Sequence, residues 1–186
     1  ALVGFVACVG VSIVSRASKQ LNTSKNSRKF QLAVTPPGIF FAIWGVIYSL
    51  IIGMGVYNYF YNIWSWDVQI HFLITFGLNL LWVFIFGMGN LLGVFFGFVI
   101  SLIMAWEGFM VWKLMAQIPD SEFDLTVLLF RNFIIFYVGW LFAAINLGFG
   151  IVLKYILGVS DKLQVLIFWA MVPLFYATFT LYVLEA

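Results

Sequence analysis

The amino-acid sequence predicts an all-α protein, a polytopic transmembrane helix bundle. Two observations point there. Apolar residues make up 65% of the 186 and charged residues 9%, whereas a water-soluble domain of this length carries about 25% charged residues to cover its surface. Lipid must cover much of what water otherwise would. The apolar residues also gather into runs near the roughly 20 residues that a helix needs to cross the hydrocarbon core.

Six such runs are read, at about 1–15, 38–61, 68–87, 91–116, 125–157 and 163–184. The first is short, and Ser15-Arg16-Ala17 makes a poor small-x-small cleavage site, so it is expected to be a genuine span rather than a signal peptide. The second is entered through Pro36-Pro37-Gly38. Proline suits a helix's first turn, where its missing N–H would be unpaired in any case. Trp64 and Trp66 precede the third span as aromatic-belt anchors. The fourth carries Gly89, Gly93, Gly97, Ser101 and Ala105, a small residue at every fourth position. Helices in lipid associate through close backbone approach, which such a ridge permits. Its partner helix is either internal or another protein's. The fifth run is long enough to project beyond the membrane, and Pro173 is an expected kink in the sixth. Residues 1–157 read as a five-helix membrane domain and 158–186 as an additional helix.

Charge gives the orientation. Arg16, Lys19, Lys25, Arg28 and Lys29 lie in the first loop with no acid among them, and Lys154 and Lys162 flank the loop between spans five and six. Alternating spans put both loops on one face, which so collects seven of the nine basic residues. The positive-inside rule places the basic loop 16–37 on the cytoplasmic side or, in an organelle, the matrix side. The mitochondrial inner membrane is favoured slightly over other membranes.

Two charges fall inside spans. Glu107 lies roughly 14 Å, and Arg131 roughly 9 Å, from the same outer end at 1.5 Å per residue. An isolated charge at that depth costs several kcal/mol, and pairing is the usual remedy. A Glu107–Arg131 pair is expected, with His71 near the same level; separate snorkelling to the interface is the alternative. Asn79 and Trp82 share a face of the third span, and Asn79 must find a partner because lipid offers none.

The single cysteine and single histidine exclude a disulfide within the chain, a cysteine cluster and a histidine-pair metal motif. No nucleophile–base arrangement or cofactor loop is visible, so an enzyme is not expected. A net charge of +2 without a basic-aromatic groove argues against nucleic acid.

Residues 35–48 read Thr-Pro-Pro-Gly-Ile-Phe-Phe-Ala-Ile-Trp-Gly-Val-Ile-Tyr, 78–86 Leu-Asn-Leu-Leu-Trp-Val-Phe-Ile-Phe, and 137–144 Tyr-Val-Gly-Trp-Leu-Phe-Ala-Ala. These stretches, in this sequence, resemble the TPxGxxFxIWGxIY, LNxxWxxxF and YxxWxxxA segments of the tryptophan-rich sensory protein (TspO/MBR, translocator protein) family. The resemblance covers about residues 1–157. Thr75 stands where members usually carry a Gln. The resemblance implies a five-helix bundle that binds porphyrins, sterols or aromatic drugs, with no metal or cofactor of its own. It also implies pocket residues at Trp44, Tyr48, Asn79, Trp82, Trp140 and Ala144.

Two functional readings follow. One is an integral membrane protein binding a hydrophobic small molecule of the porphyrin or sterol class. The other is a non-catalytic accessory subunit among neighbouring subunits of a larger membrane complex, such as a mitochondrial respiratory one.

Overall fold

A computed structural model describes residues 29–32, 35, 43–118 and 125–184. Every regular element of length among them is helical: α1 Ile43–Tyr61, α2 Trp66–Gly87, α3 Leu91–Ala116, α4 Leu125–Tyr155 and α5 Asp161–Leu184. Among the described residues four helices are long and apolar enough to cross a membrane, α1, α2, α3 and Val127–Tyr155 of α4. Six spans were expected, and four crossing helices are found among the described residues. The first expected span, 1–15, lies outside the described residues, and the sixth corresponds to α5, which contains Pro173.

Local chemistry sets the helix ends. Asn62 closes α1 at φ 48°, and the Asn58 side-chain carbonyl accepts from the Trp64 amide at 2.9 Å. Ser65 caps α2 by accepting from Val68 N. Between α2 and α3 the chain reverses in three residues. Gly89 there takes φ 64°, a left-handed conformation costly for a residue with a Cβ. Asn90 then caps α3, its side chain accepting from Gly93 N at 2.7 Å. Gly158 at φ 68° makes the turn from α4 to α5.

So short an α2–α3 connection forces an antiparallel pair, and α2/α3 and α3/α4 are the most extensively packed neighbours. The main core runs through α1 to α4, with Ile47, Met54, Met104, Met115 and Leu141 shut away from the surface. A smaller cluster at one end joins Phe30 and Leu32 to Val94, Ile151, Val152 and Phe168. This second cluster ties α5 to the bundle.

The small-residue ridge of α3 lies inside the protein. A Cβ on Gly93 would collide with the carbonyl oxygen of Ile85 on α2, and one on Gly97 would stand 3.5 Å from Trp82 Nε1. Ser101 and Ala105 are buried as well, and the Ser101 hydroxyl donates back to the Gly97 carbonyl at 2.9 Å. For its first turns, at Gly93 and Gly97, the helix that fits the ridge is the chain's own α2.

Candidate functional site

Three tryptophans from three helices meet inside the bundle. Trp44 of α1 stacks on Trp82 of α2 with ring centroids 6.2 Å apart and planes 29° apart. Trp140 of α4 presents its ring at 84° to Trp44, 6.1 Å away. Tyr48, one turn along α1, stacks on Trp44 at 5.6 Å, and Phe86 lies nearly parallel to Trp82 at 4.9 Å. Such offset-stacked and edge-on pairs are the arrangements that ring quadrupoles favour.

A polar knot sits one turn from the tryptophans. The Tyr48 hydroxyl donates to Asn79 Oδ1 at 2.9 Å. Asn79 is buried, and the fully buried hydroxyl of Tyr137 on α4 interacts with the same amide. One asparagine thus links α1, α2 and α4 at a depth where no water competes for it. Five of the six residues expected at a pocket, Trp44, Tyr48, Asn79, Trp82 and Trp140, gather here. Ala144 is half-buried on α4, one turn beyond Trp140. Tyr137 was not on that list, although its place three residues before Trp140 puts it on the same helix face.

Two buried polar groups beside the knot have no partner among the described residues: Trp140 Nε1 in the ring cluster and Thr75 Oγ1 one turn before Asn79. An unpaired buried donor costs about 1–3 kcal/mol, so a group that accepts from it gains that much.

The family model described as TSPO-like protein matches residues 1–184. The chain belongs to the TSPO-like family. No curated protein and no solved structure matches it. The matched residues take in the last helix as well as the five spans that carry the resemblance. In this TSPO-like protein the aromatic cluster and the α3 ridge adjoin, because Trp82 and Phe86 lie against Gly97.

The intramembrane acid lies elsewhere in the TSPO-like bundle. Glu107, for which Arg131 was the expected partner, has its carboxylate Oε2 2.6 Å from His71 Nδ1, a contact that joins α3 to α2. The tight α2–α3 turn sets these two residues at one level on facing helices, while Arg131 is half-buried on α4. Among the described residues no group of three or more His, Cys, Asp or Glu comes together that could hold a metal ion.

Removing the Tyr48 hydroxyl tests the knot. Tyr48→Phe is expected to cost about 1 kcal/mol, as for one lost hydrogen bond, because Asn79 keeps Tyr137. Asn79→Leu strands two hydroxyls and is expected to cost more than twice as much. Equal losses in thermal unfolding of the two variants would contradict the knot.

Proposed function

We propose that this TSPO-like membrane protein binds a flat apolar or aromatic small molecule, of the porphyrin or sterol class, against the Trp44–Trp82–Trp140 cluster. The observation that carries the reading is the buried, unpaired Trp140 Nε1 at the point where the three indoles converge. Aromatic faces suit a planar apolar ligand, and one placed donor orients it. Asn79 Oδ1 accepts from Tyr48 and the same amide meets Tyr137, so the donor in the ring cluster without a partner among the described residues is Trp140 Nε1.

Titration with protoporphyrin tests this. Quenching of intrinsic tryptophan fluorescence is expected to saturate, and Trp44→Ala to weaken the affinity at least tenfold, by about 1.4 kcal/mol or more. Trp169→Phe, on the exposed face of α5, is the control expected to bind as the parent does. Unsaturable quenching, or equal affinity in Trp44→Ala, rejects the site.

A second reading, a non-catalytic accessory subunit, is supported by the way the rings touch one another and fill their own space. It predicts migration inside a large assembly in mild detergent. The basic loop 16–37 then faces the matrix or cytoplasm, by the charge argument above.

A further inference from the structure

The end of the bundle that carries the α2–α3 turn and the α4–α5 turn gathers basic residues from distant parts of the chain. Lys29 donates from Nζ to the Gly89 carbonyl at 2.8 Å, and its ammonium lies 5.4 Å from the Phe30 ring centroid. Phe30 meets Tyr155 edge-on at 5.4 Å. The Lys154 ammonium in turn stands 5.7 Å from the Tyr155 ring. Tyr155 secures the arrangement by donating its hydroxyl to the Gln31 carbonyl at 3.0 Å. Lys162, in the first turn of α5, is exposed beside them. Among the described residues the acid at this end is Asp161, which is held by Lys154 at 2.7 Å.

We propose that this end is a binding site for the headgroup of an anionic phospholipid of the surrounding bilayer, with Lys29, Lys154 and Lys162 facing the phosphate and the half-buried Tyr155, backed by the buried Phe30, beside the acyl chains. Charge complementarity selects the occupant. Three cations face one acid, and the site sits at the helix ends, where the chain meets the headgroup layer. Basic pockets between transmembrane helices at this level take anionic headgroups, and each lysine there contributes about 1 kcal/mol, or about fivefold in affinity. Tyr155 belongs at the same depth, since a ring with one polar edge settles at the interface. The bridge to Asp161 restrains Lys154, so the acid moderates binding.

The full chain, purified in mild detergent, is titrated with phosphatidylglycerol and with phosphatidylcholine, and retained lipid is read by native mass spectrometry. Phosphatidylglycerol is expected to be retained preferentially. Lys29→Gln/Lys162→Gln should weaken its retention by about fivefold per lysine without changing helicity. Lys154→Gln should weaken it too, and if that variant fails to fold the double variant carries the test alone. Asp161→Asn, which frees Lys154, should tighten retention, whereas loss of a merely structural bridge would not. Lys113→Gln on α3, away from this end, is expected to leave retention unchanged. Equal retention of the two lipids, no change in the double variant, or competition by millimolar inorganic phosphate as strong as by the lipid would each overturn the proposal.

Discussion

Gly93→Ala is expected to destabilise the bundle by about 2–3 kcal/mol, within the range for overpacking a closely fitted contact. The added methyl would meet the Ile85 carbonyl oxygen, with Asn90 Oδ1 and Met88 Cβ each 3.3 Å away. The nearest obstacle is backbone in the last turn of α2, which cannot swing aside as a side chain can. The pair must therefore part at its tightest point, and the Asn90 cap on Gly93 N is disturbed with it. Gly97→Ala, four residues along the same ridge, is the matched comparison. Its Cβ would sit in ordinary contact with Trp82 Nε1 at 3.5 Å and with Phe86 at 3.8 Å, and it is expected to be close to neutral. Thermal unfolding in detergent reads the contrast. Equal losses at the two positions would mean that close approach of α2 and α3 is not what the glycines provide.

The second large effect is expected at His71. His71→Leu leaves the Glu107 carboxylate without its hydrogen-bond partner 2.6 Å away, in a partly buried contact, and is expected to cost about 1.5–3 kcal/mol. His71→Leu/Glu107→Leu removes both polar groups and should recover most of that loss, since replacing both partners by apolar groups can be nearly neutral. A double-mutant cycle in a detergent unfolding titration gives the coupling. Strict additivity of the two single changes would show that imidazole and carboxylate do not depend on each other.

The helices were legible because a bilayer imposes length and apolarity on each of them. The run read as 91–116 coincides with α3, Leu91–Ala116, and the runs ending at Tyr61 and Gly87 stop where α1 and α2 stop. The aromatic cluster was legible through the family resemblance, whose segments carry Trp44, Tyr48, Asn79, Trp82 and Trp140. The partner of Glu107 was not. Counting residues from a helix end gives depth, and by depth His71 and Arg131 were both candidates. The rotation of each helix about its axis decides between them, and that depends on packing partners distant in sequence. Nor could counting tell whether the α3 ridge faced inward. That follows from Trp82 and Phe86 lying against Gly97.

The contacts of Lys29 and Gln31 also bear on how the protein is made. Each joins the segment before the bundle to a partner far along the chain, Gly89 sixty residues on and Tyr155 124 residues on. During synthesis neither partner exists when that segment leaves the ribosome. The α2–α3 hairpin, by contrast, contains its own turn, cap and His71–Glu107 contact and can enter the membrane as one piece. The Lys29 contact with Gly89 therefore becomes possible with that hairpin, whereas the Gln31 contact with Tyr155 needs α4 in place. Docking of the segment is completed late in biogenesis, and it also brings Leu32 against Gly150 and Phe168, where α5 joins the bundle.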